Sequence, residues 1–352
     1  MVTSAFRRTG GTSASSRGRH RTAVRSALGL LTLAAMAMAP VQAQAANTSG
    51  QVDLLRPESG SLIRSFGSAF DGVGDTVAMG DMTNDGAEEV VIANAGGSSE
   101  NGRIDVLNAF GFPIRSFDSA YDAFGDSIAM GDITNDGADE VVVANAGGSS
   151  ENGRIDVLNL DGFTISSFDS AYDASGDKLA VGDITGDGAE DIVVANNEGG
   201  GRMDVLDLFG HVIASFGNTG YDADDSVAVG DVTGDGRAEI VVVNTEGGSR
   251  VDVYGGTGGL LNRFASGVSS PKVMVHNVDG SSVEEIAIIS TFLPGSQSTT
   301  ATEKLQVFNR FGTKIRQVST TFTAAHNGSP ADGIALGNLN AGPLAEIVVA
   351  NS

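Results

Sequence analysis

The chain predicts an all-β fold, a six-bladed β-propeller of four-stranded blades. A fifteen-residue unit recurs six times, copies lie near 50 residues apart, and each repeat holds four strand-like runs. The unit is clearest as GDMTNDGAEEVVIAN, Gly80 to Asn94, and returns from Gly131, Gly182 and Gly230. Worn copies begin at His276 and Gly337. The first loop positions, Asp81, Asp132, Asp183, Asp231, Asn277 and Asn338, are separated by 51, 51, 48, 46 and 61 residues.

In one repeat the strand-like runs are Arg103–Leu107, Pro113–Phe117, Ser127–Met130 and Glu140–Ala144. Ile104 and Val106 alternate with Asp105, as in a half-buried strand, whereas Val141, Val142 and Val143 run on continuously, as in a strand covered on both faces. The phase of the repeat predicts how the ring closes. The chain opens after residue 50 on two outer strands, Gln51–Leu55 and Ser61–Phe66, and ends on two inner ones, Gly333–Leu336 and Glu346–Ala350. Neither pair is a blade alone. Together, N-terminal strands three and four with C-terminal strands one and two, they make the sixth and hide their edges.

The loop inside each unit carries the chemistry. Asp81, Thr83 and Asp85 place oxygens at alternate positions, Gly86 allows a sharp bend, Ala87 offers its carbonyl, and Glu89 closes from the next strand. A hard cation such as Ca2+ takes such oxygens. The same positions hold Asp132, Thr134, Asp136, Ala138 and Glu140 in the second copy. They hold Asp183, Thr185, Asp187, Ala189 and Asp191 in the third, and Asp231, Thr233, Asp235, Arg237 and Glu239 in the fourth. An isolated Asn-Asp-Gly is also a common turn former. Four copies with three acids in fixed places favour metal, because clustered carboxylates repel unless a cation sits among them. The fifth copy, with Asn277, Asp279, Ser281 and Glu285, is expected to bind weakly, and the sixth, with Asn338, Asn340, Gly342 and Glu346, not at all.

The unit resembles the FG-GAP repeat and its bacterial relative, the VCBS repeat. Phe66-Gly67 precedes Gly80-Asp81 and Phe216-Gly217 precedes Gly230-Asp231, while Phe117 and Phe168 keep the ring but are followed by Asp. Thr stands where the family usually has Asn or Asp at the third loop position, and Asn-Ala or Asn-Asn replaces the closing Gly-Ala-Pro, nearer the bacterial branch than the integrin α-chains. The resemblance spans about residues 51–351 and implies a propeller with Ca2+ in the loop joining the first two strands of each blade.

Net charge is −23. The first 50 residues hold six Arg and no acid; with them set aside, 15 basic face 44 acidic side chains, a balance of −29. That surface disfavours nucleic acid and anionic lipid and attracts divalent cations. Cys is absent, so stability rests on packing and metal. Residues 1–45 read as a signal peptide: a basic stretch to Arg25, an apolar segment Ala27 to Ala39, and Ala43-Gln44-Ala45 before cleavage at Ala46. The apolar run is short of the ~20 residues that span a bilayer. Residues 46–352 are then one secreted, extracellular domain with no membrane span.

Phe70, Tyr121, Tyr172 and Tyr221 recur on the face opposite the cation loops, where they either form a ligand face or plug gaps between blades. Asp53, Asp105, Asp156, Asp204 and Asp252 recur in mid-strand, four of them two residues after an Arg, and predict structural pairing. Insertions at Thr291–Glu303 and Thr320–Asp332 are expected as loop growth or as binding loops on that opposite face. Catalytic motifs are lacking. The three His beyond the signal, His211, His276 and His326, share no repeat position. The leading expectation is a monomeric Ca2+-binding module for an extracellular glycan or protein. An enzyme acting on polysaccharide and a structural cell-envelope protein are the alternatives.

Overall fold

Twenty-four β-strands follow one another in the computed structural model, which describes residues 50–351 apart from 71–73, 96–101, 122–124, 147–152, 175, 246–248, 269–270, 293–299, 324–332 and 343. The signal segment and His326 lie outside the described residues, which all belong to one compact unit, Ala39–Ser352. Among the described residues no helix is long and apolar enough to cross a membrane.

The chain opens on β1 (Gln51–Leu55) and β2 (Leu62–Gly67). Blade one is β3 (Thr76–Gly80), β4 (Glu89–Ala93), β5 (Arg103–Leu107) and β6 (Pro113–Asp118). Blade two is β7 (Ser127–Gly131), β8 (Glu140–Ala144), β9 (Arg154–Leu158) and β10 (Thr164–Asp169). Blade three is β11 (Lys178–Gly182), β12 (Asp191–Asn196), β13 (Arg202–Leu206) and β14 (Val212–Phe216). Blade four is β15 (Ser226–Gly230), β16 (Glu239–Asn244), β17 (Arg250–Tyr254) and β18 (Leu260–Ala265). Blade five is β19 (Pro271–His276), β20 (Glu285–Phe292), β21 (Thr300–Phe308) and β22 (Lys314–Thr323). The last strands, β23 (Gly333–Gly337) and β24 (Glu346–Asn351), join β1 and β2 in blade six. There β1 pairs antiparallel with β24, Gln51 opposite Asn351 and Leu55 opposite Ile347. The predicted two-plus-two closure is therefore present, and the innermost strands of successive blades touch around the full circle.

The second strand of each blade is apolar throughout because it has no solvent face. In β4, Val90 and Ile92 pack toward blade six while Val91 and Ala93 pack toward blade two. The third strand buries an acid. Asp105, Asp156 and Asp204 meet Arg103, Arg154 and Arg202 at 2.7, 2.6 and 2.8 Å, and Asp252 meets both Arg250 (2.9 Å) and Arg263 (2.5 Å). In blade six Gln51 takes the arginine's place and donates to Asp53 at 2.7 Å. A buried carboxylate needs such donors, and the half-exposed arginines supply them with their heads near water.

The aromatic of the Phe-Gly pair has a packing role. Phe66, Phe117, Phe168, Phe216 and Phe264 each press on a glycine in the β-hairpin of the following blade: Gly111, Gly162, Gly210, Gly258 and Gly312. Each of these glycines has positive φ, +77° at Gly162. The insertions differ from the expectation of loop growth. Thr291 and Phe292 continue β20, residues 300–303 begin β21, and residues 320–323 extend β22. Their Thr-rich sequence suits extended backbone, and Thr300 pairs with Thr323. The rest of both insertions lies outside the described residues.

Gly162→Ala tests the seam between blades one and two. A Cβ there stands 2.5 Å from Phe117 Cγ and sits on left-handed backbone. We expect a loss of about 2–4 kcal/mol in urea unfolding, from overpacking plus backbone strain.

Candidate cation loops and axial cavity

The loops between the first two strands of blades one to four share one conformation. Position one caps it: Asp81 accepts the N–H of Asp85 (3.1 Å) on Oδ1 and of Gly86 (2.8 Å) on Oδ2. Asp85 Oδ1 then accepts the Ala87 N–H at 2.9 Å. Asp132 and Asp136 receive the matching bonds at 2.9, 2.8 and 3.0 Å. Asp183 with Asp187 and Asp231 with Asp235 do the same, serving among others Ala189 and Arg237. Such turns require left-handed backbone twice. Position four is Asn84, Asn135, Gly186 or Gly234, and position six is always Gly, with φ between +54° and +94°.

Position nine is buried beneath the loop. Glu89 accepts both the N–H and the hydroxyl of Thr83 at 3.3 Å. Glu140 accepts the same pair from Thr134 at 3.1 and 3.2 Å, and Glu239 from Thr233 at 3.1 and 3.4 Å. Asp191 is one carbon shorter; it takes the Thr185 N–H at 3.0 Å and leaves the buried Thr185 hydroxyl without a partner. Burial, joined by the charges of Asp81 and Asp85, pushes Glu89 up to about 7 against the pull of Thr83. Glu140 and Glu239 reach about 7 from burial and their own loop aspartates, and Asp191 is raised for the same reasons.

Among the described residues no three acidic or histidine side chains stand gathered as a metal cage. The donor set nevertheless fits a hard divalent cation. Every strong loop offers carboxylate oxygens with lone pairs beyond those its N–H groups use, plus an acid at position nine whose pKa is raised by burial and by the loop aspartates. The worn loops differ in kind. Asn277 accepts the Gly280 N–H (2.8 Å) and donates to the Ser281 carbonyl, while Asp279 accepts the Ser281 N–H (2.8 Å) and Glu285 the Val278 N–H (3.0 Å). Asn338 donates to the Gly342 carbonyl at 2.5 Å, and Asn340 donates to Glu346. An amide nitrogen closes each of these loops from within.

Position eight, which the sequence reading passed over, forms a second site. Its backbone laces the loops together: the N–H groups of Glu88, Asp139, Glu190, Ala238, Glu284 and Ala345 each donate, at 2.7–3.2 Å, to the position-one carbonyl of the preceding blade. Its side chains crown the axis. Glu88, Asp139, Glu190 and Glu284 line a cavity of about 470 Å³, with Met79, Met130, Val181, Val229, Val275 and Leu336 also on its wall. Asp139 accepts the Asp81 N–H at 2.8 Å, and Glu284 the Asp231 N–H at 2.6 Å.

This explains the glycine at the end of four innermost strands, whereas Gly182 meets Val229 and Ala238. A Cβ on Gly80, Gly131, Gly230 or Gly337 would collide with the position-eight carboxylate of the next blade. Blade five meets Ala345 instead, and there His276 replaces glycine and reaches Glu88 at 2.9 Å. Burial works against the His276 charge, but Glu88 raises its pKa above the ordinary value. Burial and the surrounding acids push Asp139 up to about 6 and Glu190 up to about 8, and Glu284 is raised too. The acid doublets Glu88-Glu89, Asp139-Glu140, Glu190-Asp191 and Glu284-Glu285 were the available signal.

The aromatic ring on the opposite face is corrected as a ligand surface. Phe70, Tyr121, Tyr172 and Tyr221 are buried to within 1%. The three tyrosine hydroxyls donate to the carbonyls of Gly74 (2.7 Å), Gly125 (2.8 Å) and Gly176 (2.9 Å), and Phe70 packs on Gly333. They wedge the blades apart, and a buried ring offers nothing for a ligand to stack on.

The raised acids set a pH dependence. The folded protein holds protons on Glu89, Glu140, Glu239, Asp139 and Glu190 that the unfolded chain has released, so stability falls as pH rises from about 4.5 toward 8. In chelator, the melting temperature at pH 8 should lie several degrees below that at pH 5.

No family model matches the chain, and no curated protein matches it. Among solved structures it is similar to an Agrocybe aegerita lectin that recognises non-reducing terminal N-acetylglucosamine, at TM-score 0.47 and 15% identity over 87% of this chain and 85% of that one. It is also similar to the V. cholerae biofilm matrix protein Bap1, at TM-score 0.37 and 18% identity over 70% of this chain and 39% of that one. A protein of unknown function from Bacteroides caccae gives TM-score 0.41 and 14% identity over 64% and 71%. At these levels the likenesses carry no argument about family or function.

Proposed function

We propose that the chain is a secreted, Ca2+-binding propeller of the FG-GAP/VCBS kind that serves as a binding or adhesion module for an extracellular glycan or protein. One observation carries this reading: four loops of one conformation each place two aspartates above a buried third acid, and burial together with those aspartates raises the third acid's pKa. Asp81, Thr83, Asp85, Ala87 and Glu89, with their equivalents in the next three loops, would hold the ion. The bound cation supplies charge compensation and a fixed loop. Because the loops are bonded to one another, fixing four of them stiffens the whole face. Arg237 faces Gly186 of the neighbouring loop and offers the fourth site only its carbonyl. The enzyme alternative needs Arg, Tyr and His grouped in a central pocket. Among the described residues the axial cavity has His276 but neither Arg nor Tyr on its wall.

Calorimetry with and without Ca2+ tests this. At extracellular-module affinities, about 10 mM Ca2+ should add about 1.4–2.7 kcal/mol per occupied loop, lost on chelation. Glu89→Gln should remove one loop's share and spare the rest. The Ca2+ increment should grow with pH, since the ligands must be deprotonated. A melting temperature indifferent to Ca2+ and chelator at pH 8 would remove the support for a metal. Exported protein should begin at Ala46 by intact mass.

A further inference from the structure

Among the described residues, every large apolar side chain that is exposed falls in one belt. All lie in the hairpin between the third and fourth strands of a blade, or on the first residues of the fourth strand. This hairpin leaves the ring on the same face as the cation loops, and in blade five Arg310 Nη1 donates to the Thr233 carbonyl of the blade-four loop at 3.5 Å. Phe110, Phe112, Phe163, Phe209 and Phe311 are 55–69% exposed. Their burial against the blades is not what holds the fold, because Phe66, Phe117 and their equivalents already fill each seam from the neighbouring blade.

The exposed rings are distributed over four seams, with exposed aliphatics such as Ile165, Val212, Ile213 and Ile315 in the same belt. Each of the four seams also carries a planar hydrogen-bonding group. The Arg64 guanidinium lies 4.1 Å over Phe110, with Phe112 two residues on. Two residues before Phe163, Asp161 forms an ion pair with Arg115 across the seam at 2.8 Å. Next to Phe209, His211 Nδ1 and Asp207 are 2.9 Å apart, and the two rings are 6.3 Å apart. Arg310 lies 4.6 Å over Phe311. The two remaining seams carry Gly258-Gly259 and Gly60-Ser61 at this place and no aromatic ring.

We propose that these four seams are subsites for the pyranose units of a neutral polysaccharide. A pyranose presents an apolar C–H face and equatorial hydroxyls at its edge. An exposed aromatic ring matches the first, and a neighbouring guanidinium or carboxylate matches the second. The charge of the chain, −23, selects against polyanions. Four weak subsites on one rigid rim reach a long polymer together, which gives avidity without a deep pocket. The proposal rests on the binding-module reading above and names its ligand class and surface.

Affinity electrophoresis through gels containing soluble starch, glucomannan, xyloglucan or alginate tests it. One or more of the three neutral polymers should retard the protein and alginate should not. Phe112→Ala, Phe163→Ala, Phe209→Ala and Phe311→Ala, all at exposed positions, should each weaken retardation about two- to tenfold, and together abolish it with the melting temperature kept. The chain has no Trp, so Phe163→Trp adds a single emitter at one seam, whose fluorescence should shift on addition of the retarding polymer. Retardation that persists in the quadruple variant would overturn the seam assignment and leave the binding-module reading intact. Retardation by alginate alone, or by none of the four, would overturn the neutral-glycan proposal, while the Ca2+ dependence of the melting temperature separately decides the loops.

Discussion

A closed ring of blades has to hold shut, and here two sets of backbone hydrogen bonds do so. One is the β1–β24 ladder, which joins the two ends of the described chain inside a single sheet. The other is the set of six position-eight N–H groups, each bonded to the preceding loop. The ladder fixes which strands meet. The lacing fixes how far apart the inner strands stand, and so the width of the axial cavity. Without Cys, this arrangement has no covalent closure to fall back on. Any ion that stiffens one loop therefore acts on a circle of coupled loops.

Much of this was legible because the repeat superimposes six tests of each position. Left-handed backbone at positions four and six of the strong loops demands Asn or Gly, then Gly, and the sequence shows that pattern before any coordinates. The buried second strand, the two-plus-two closure and the Asp–Arg pairs follow from periodicity in the same way. Position eight was harder. Its acids adjoin the position-nine acids in sequence, and nothing local says that one points under its own loop while the other points to the axis. That division depends on the neighbouring blade, whose terminal glycine leaves room for the carboxylate. Spatial neighbours more than one repeat away decide it, as Gly131 does for Glu190.

The aromatic positions show the same limit from the other side. Tyr121, Tyr172 and Tyr221 recur beside aspartates, a combination equally suited to a binding face and to a wedge. Only the hydroxyl bonds to Gly74, Gly125 and Gly176 settle the matter. Conversely Phe112 and Phe163 look like core residues by type, yet the core has no place for them. The seam is already occupied by the phenylalanine that precedes Gly67 or Asp118, and the hairpin glycine permits only one ring beneath it.

The worn copies show how a repeat gives up one role and keeps another. In blades five and six the position-one acid has become Asn, and its amide nitrogen donates where a carboxylate can only accept. The loop thereby closes on itself and no longer gathers uncompensated charge. At position eight blade six has Ala345; blade five has His276 where the other innermost strands end in glycine, and the imidazole meets Glu88. The backbone bond from Ala345 to Asn277 is nevertheless kept, at 3.2 Å. Lacing is thus needed at all six blades, since one missing link would open the circle. The dense acids are kept only in the other four loops, where positions one, five and nine all remain carboxylates.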